Sequence, residues 1–318
     1  MKYSGIGGQA VIEGIMMMKG EDYAVAVRRP DKEIEVKKDT YQSITKKAKI
    51  LQLPFVRGVF RFADSMIIGM RSLSYSASFF EDDEDAEPGK FEQLLDRVFG
   101  EKLESAIMAA VLVNSFILAI GIFMLLPLGI ANLFKGVITS DHLMAVLEGV
   151  IRIAIFIIYI KLVSRMEDIR RTFMYHGAEH KCINCVEHGH PLTVKYVRES
   201  SKEHKRCGTS FILIVMVISI LMFMVIRVDT IWMRILSRII LVPVIAGISY
   251  EVLQCAGRSN SKFMDLVSRP GMWMQGLTTK EPDDSMIEVA IAATEAVFDW
   301  REYLTENFPG WEKQLEES

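Results

Sequence analysis

Residues 107–130 read IMAAVLVNSFILAIGIFMLLPLGI, twenty-four residues without a charge. About 20 apolar residues suffice to carry a helix across a lipid core. A lone strand there would leave its backbone groups unpaired, so the stretch predicts a transmembrane helix. Working outward, three further segments have the same character: Leu143 to Val163, Ser210 to Val228 and Ile231 to Leu253. The chain of 318 residues is 50% hydrophobic with mean hydropathy +0.23, yet 24% of it is charged, so membrane and water-facing parts are separate. The fold class expected is an α-helical integral membrane protein of about four transmembrane helices. A small α+β cytoplasmic N-terminal part and a helical C-terminal tail complete it.

Loop charge sets the orientation. Between the second and third spans lie Arg165, Arg170, Arg171, Lys181, Lys195, Arg198, Lys202, Lys205 and Arg206, against Lys135 alone between the first and second. The positive-inside rule puts that loop in the cytoplasm, and an even number of crossings puts both termini there too. The expected location is therefore the cell membrane, multi-pass, with the lipid bilayer as partner. Net charge −3 and pI near 6.1 supply no basic field for nucleic acid. The first twenty residues lack a basic region followed by a clean apolar stretch, so no cleaved leader is expected.

The soluble parts divide as residues 1–105, a membrane domain over 106–256 with a His/Cys-rich loop at 164–207, and a tail over 257–318. Tyr23 to Arg28 and Ile34 to Lys37 alternate around Arg29-Pro30-Asp31-Lys32, which predicts a β-hairpin. Glycines in Gly7-Gly8-Gln9-Ala10-Val11-Ile12-Glu13-Gly14 flank a short apolar strand and suit a close approach of backbone to something, the histidine cluster being one candidate. The absence of a Gly-Lys-Ser/Thr ending argues against a phosphate loop. Val59 to Tyr75 reads as a helix at the membrane surface, Phe80 to Lys90 as an acidic linker, and Phe91 to Ser105 as an amphipathic helix. Gly257 to Asp284 reads as irregular, and Ser285 to Tyr303 has helical spacing.

Five of the six histidines and three of the four cysteines fall between residues 176 and 207. Within that segment, His176-Gly177-Ala178-Glu179-His180 puts two imidazoles one helical turn apart with a carboxylate beside them. Zn²⁺ or another divalent transition metal accepts such ligands, and a catalytic site keeps three of them and a water. For the third ligand, Glu251 near the end of the fourth span competes with His204, and Cys207 stands behind both. Cys182 and Cys185 form a C-x-x-C with no second pair, and reduced, packed thiols are the expectation on the cytoplasmic side. His188 and His190 read as surface loop residues.

Inside the second span, Glu148 and Arg152 share a helical face, and a charge in lipid demands a partner: one another, Arg234 or Arg238. Pro127 and Pro243 can kink their helices.

The blocks Gly7 to Gly14, Tyr175 to Lys181, His204 to Phe211, and Arg269-Pro270-Gly271 through Thr278-Thr279 resemble the signature of the YqhQ-like bacterial family of multipass membrane proteins, a domain of unknown function described as predicted metal-dependent enzymes. The resemblance implies family positions at Gln9, Glu13, His176, Glu179, His180, His204, Arg206 and Cys207. It implies threonine where this chain has Cys182.

The leading expectation is a membrane-embedded, peptidase-like metal hydrolase. His176 and His180 hold the ion with Glu251, His204 or Cys207, Glu179 acts as base, and Arg206 faces the developing oxyanion. Two other classes stand beside it: a non-catalytic scaffold or assembly factor with a structural metal closed by four protein ligands, and an ion or small-solute transporter using Glu148 and Arg152. With four spans, the transporter would need a homo-oligomer.

Overall fold

The computed structural model describes residues 1–80, 103–205, 207–226, 230–258 and 261–316. The chain forms two compact units, Met1–Phe80 with Ile160–Ser318, and Glu81–Tyr159.

The first unit is built on an antiparallel sheet of order β1-β2-β3-β4: β1 Ile6–Val11, β2 Gly14–Lys19, β3 Asp22–Arg28 and β4 Ile34–Thr40. The expected β3–β4 hairpin is present, with Arg28 opposite Ile34. β2 and β3 join through Gly20 at φ 68, the left-handed conformation a two-residue hairpin loop asks of its first position. β1 and β2 turn at Glu13, also left-handed at φ 47. A bidentate Arg171–Glu13 ion pair and the Tyr175 hydroxyl, which donates to the same carboxylate, hold that turn. Loss of solvation, with the Glu13 charge beside it, pushes the Tyr175 phenol up.

The helices are α1 Val56–Ala77, α2 Leu103–Ile120, α3 Leu126–Asn132, α4 Asp141–Val163, α5 Glu167–Glu187, α6 Val194–Glu199, α7 Gly208–Val225, α8 Ile231–Arg258, α9 Lys262–Thr278, α10 Asp284–Val297, α11 Trp300–Asn307 and α12 Lys313–Glu316. Among the described residues, four segments are long and apolar enough to cross a membrane: Val113–Asn132, Asp141–Val163, Gly208–Val225 and Ile235–Ala256. These are the four segments expected, displaced at their ends by a few residues.

Strand alternation divides the sheet's side chains between two layers. Val11, Met16, Tyr23, Val25 and Val27 meet Ile68 of α1 on one face. Ile15, Met17 and Ala26 pack on the other face with Tyr175, Ala178 and Cys182 of α5 and with Ile287 and Ala290 of α10. Burying a side chain such as Ile15 or Met17, each at 0% exposure, contributes about 1.5–3 kcal/mol. β4 is the exposed edge, and Lys37 and Lys38 discourage further pairing.

Residues 262–278, expected to be irregular, are helical. Ser261 caps α9 by accepting the Met264 N–H, and Pro270 lies inside the helix. The adjoining Gly271 fits because its helix passes Ser210 so closely that a Cβ would come within 2.7 Å of Oγ. The expected surface helix is α1, which packs on α8: a Cβ on Gly58 would stand 3.1 Å from Gly247.

In the second unit, a π-helical turn at Gly121–Leu125 precedes Pro127, whose missing N–H breaks the regular ladder. Phe123 edges onto Phe156 and Tyr159, with ring centroids 6.0 and 5.4 Å apart. Glu148 and Arg152 form the expected i,i+4 ion pair at 2.7 Å. The Arg234 side chain, the acidic stretch after Phe80 and most of the helix expected over Phe91 to Ser105 lie outside the described residues.

Candidate metal centre

Helix α5 carries His176 and His180 four residues apart, with ring centroids 4.4 Å from one another. Cys207 joins them from the N-cap of α7. One ligand atom from each of these three residues falls within 4.8 Å of the other two. Cys207 Sγ lies 3.3 Å from His176 Nε2 and accepts the Thr209 N–H at 3.3 Å. The first turn of a helix favours a negative ligand such as a thiolate.

The other ring nitrogen of each histidine is already used. His176 Nδ1–H donates to the Thr278 carbonyl at 3.1 Å and His180 Nδ1–H to the Lys202 carbonyl at 2.7 Å. A carbonyl only accepts, so each Nδ1 carries a proton, and in the neutral ring each Nε2 has its lone pair free for a metal. Metal-binding histidines are oriented in this way by outer-shell carbonyls.

Glu179 sits on the same helix beneath β1. The residue is 4% exposed, its carboxylate lies near the Gly8 N–H, and Oε2 has no hydrogen-bond partner among the described residues. Loss of solvation pushes its carboxyl up to about 7, against the opposing pull of His176 and the Gly8 N–H. Gly8 must lack a side chain: a Cβ would stand 2.6 Å from the Met16 carbonyl oxygen and 3.0 Å from Glu179 Cγ. The glycine-rich block therefore does bring backbone against the motif.

Gly177 is required for a similar reason. A Cβ there would meet the Lys280 carbonyl oxygen at 2.1 Å. The segment after α9 crosses α5 at that point, with Lys280 N–H donating to the Phe173 carbonyl, and so delivers Thr278 to His176.

Of the remaining predicted ligands, His204 lies beside the pair, its ring centroid 5.8 Å from that of His180, and Glu251 is engaged by α1. His204 is buried and its Nε2 is 3.4 Å from Glu187 Oε2. Glu251 receives a bidentate pair from Arg57 and the Phe55 N–H, which anchors the start of α1 on α8. Arg206 lies outside the described residues. Cys182 and Cys185 are free, buried thiols. Loss of solvation pushes both up, Cys185 to about 12, and Cys185 donates to the Pro191 carbonyl. His188 and His190 are exposed.

Three supports were not foreseen. Gln275 of α9 brackets His204, accepting its N–H and donating to its carbonyl and to Ser210 Oγ. Asn184 donates to the carbonyls of Ser201 and Glu203, on either side of Lys202. Lys181, 3% exposed, donates to Arg198 and Ser200 carbonyls and pairs with Glu281. The signal for such groups is a polar residue inside a helix that must also bury a face.

A family model described as "Protein of unknown function (DUF1385)" matches residues 53–300. Over 286 residues, 90% of this chain and 89% of the relative, the chain is 34% identical to the "Uncharacterized protein YqhQ" of Bacillus subtilis (strain 168). No solved structure matches the chain.

Proposed function

We propose, for a chain that belongs to the DUF1385 family of proteins of unknown function, a membrane-embedded metal-dependent hydrolase of peptidase-like chemistry. Its place is the cell membrane with both termini cytoplasmic, a reading supported by the basic loop between the second and third spans. The single observation that carries the catalytic part is a three-donor set, His176, His180 and Cys207, beside a buried carboxylate oxygen with no partner among the described residues.

The donor set fits a divalent transition ion, zinc foremost. Two imidazole Nε2 atoms and one sulfur are its preferred donors, and three protein ligands leave a position open. A structural scaffold site is closed by a fourth protein ligand; among the described residues the group holds three, and His204, with its ring centroid 5.8 Å from that of His180, has its Nε2 3.4 Å from Glu187 Oε2. When bound, such an ion polarises a carbonyl and acidifies water. The chain's own residues do the rest. Thr278 and Lys202 carbonyls fix the two rings, the Gly8 N–H lies near the Glu179 carboxylate and favours its charged form, and Glu179 Oε2 accepts a proton from water.

The test pairs metal analysis of purified protein with cleavage of quenched fluorescent peptides in proteoliposomes. Glu179→Gln should keep the metal and lose turnover by about 100-fold or more, the scale of general-base catalysis. Protein that holds no metal, or a variant that cleaves as wild type does, refutes the proposal.

A second reading is favoured by the 3.3 Å separation between Cys207 Sγ and His176 Nε2 at a helix N-terminus, the arrangement of a thiol nucleophile and its base. It predicts turnover that survives chelation and a covalent acyl-Cys207 adduct, whereas the metal reading predicts inactivation by chelator and no adduct.

A further inference from the structure

A second concave site lies on the opposite face of β1 from Glu179. It is a cleft of about 600 Å³, within the range of roughly 300–1,000 Å³ typical of small-molecule sites. One wall is the α1 stripe Arg61, Asp64, Ser65 and Ile68, and another is Tyr250 and Gln254 of α8. Both pairs of spacings, three to four residues, put their side chains on one helical face.

The charges in this cleft are unequally committed. Asp64 accepts from Tyr41 Oη, Ser43 Oγ and the Ile44 N–H, so its carboxylate is satisfied locally. Lys46 pairs with Glu21 at 2.6 Å. Arg61 is exposed and has no acidic group within ion-pair distance among the described residues. The cleft therefore presents one uncommitted, fork-shaped cation, whose geometry suits a phosphate.

The neighbouring stripe of the same helix identifies the source of that anion. Phe62, Met66, Met70 and Leu73 are 44%, 56%, 41% and 39% exposed. Their i, i+4, i+8, i+11 spacing makes a continuous apolar face on a helix too polar to cross a bilayer, the pattern of a helix lying in the interface. That face is continuous with the candidate spans, because Phe62 contacts Phe211 of α7 at 5.5 Å and α1 packs along α8. The opposite cleft wall, Tyr250 and Gln254, belongs to the last turns of a span.

We propose that this cleft binds the phosphate-bearing headgroup of an anionic lipid drawn from the adjoining leaflet, with Arg61 as counter-charge and the α1 apolar face set among the acyl chains. The proposal rests on the reading of α7 and α8 as membrane spans and is independent of metal at His176, His180 and Cys207.

The experiment uses full-length protein in neutral detergent. Thermal stability is followed while short-chain phosphatidylglycerol, the matching diacylglycerol or inorganic phosphate is added. Phosphatidylglycerol should raise the melting temperature saturably, and the other two should not. Arg61→Gln should weaken the apparent affinity by about tenfold or more, the worth of a charge-assisted hydrogen bond, and Arg61→Lys should retain part of it. Ser65→Trp, which fills the cleft and keeps the charge, should abolish the response. Arg165→Gln, an exposed cation outside the cleft, should leave it unchanged. Equal responses in wild type and Arg61→Gln overturn the proposal. So does a loss in Arg165→Gln as large as in Arg61→Gln, or inorganic phosphate acting as well as the lipid. His176→Ala should retain the lipid response, and Arg61→Gln should retain metal, so the two sites fail separately.

Discussion

Helices α5 and α7 are nearly equal in length and opposite in how they spend their side chains. In α7, from Gly208 to Val225, the residues are almost all apolar, yet Ile212, Val217 and Leu221 are 43%, 44% and 56% exposed. In α5 the half from Tyr175 to Glu187 is buried apart from a half-covered His176, although it carries two histidines, two glutamates, a lysine and an asparagine. Exposed apolar surface on α7 suits lipid as solvent, where there is no water to escape. Buried polar surface on α5 is costly unless every group is hydrogen-bonded. Lys181, Asn184 and Glu187 meet that demand, and the oxygen that does not is Glu179 Oε2. Function is expected where that cost is left uncompensated.

The contrast breaks most sharply at the ligands. His180→Ala should weaken metal binding by more than the 10–100-fold typical of outer-shell changes, read by metal content after dialysis against a weak chelator. Retention of a full equivalent of metal would deny α5 its special role. Gly177→Ala comes next, because a Cβ 2.1 Å from the Lys280 carbonyl oxygen forces the 278–280 segment away. Such overpacking costs about 1–3 kcal/mol, and displacing Thr278 should also weaken metal binding by about tenfold or more; thermal melts and metal titration read both. Asn184→Leu leaves two carbonyls without donors, for about 1–3 kcal/mol, measured as a lowered melting temperature. Leu221→Ala, on the exposed apolar side of α7, should change stability by no more than about 0.5 kcal/mol. If Leu221→Ala costs as much as Asn184→Leu, the two helices do not differ in the way described.

Much of the architecture was legible because helices long and apolar enough to cross a membrane write long signals. The segment expected at Ser210 to Val228 is a helix over Gly208–Val225, and the pair Glu148–Arg152 closes as charge in an apolar setting requires. The β3–β4 hairpin was readable from its alternation. β2 was not, because Ile15, Met16 and Met17 are buried on both faces of the sheet and so show no alternation. Helix α9 was hidden by Pro270-Gly271, two residues that read as a break until the packing against Ser210 is known. At the site, the His176–His180 pair followed from helical spacing alone. Which residue joins them did not, since it depends on tertiary partners: Arg57 engages Glu251, Glu187 faces His204, and the start of α7 delivers Cys207.

X-ray absorption at the zinc edge on purified, full-length protein tests the central claim most directly. The account predicts close to one ion per chain with two imidazole nitrogens at about 2.0–2.1 Å, one sulfur at about 2.3 Å and one light-atom ligand, the sulfur disappearing in Cys207→Ser. Protein free of metal, or a first shell without sulfur, would contradict it.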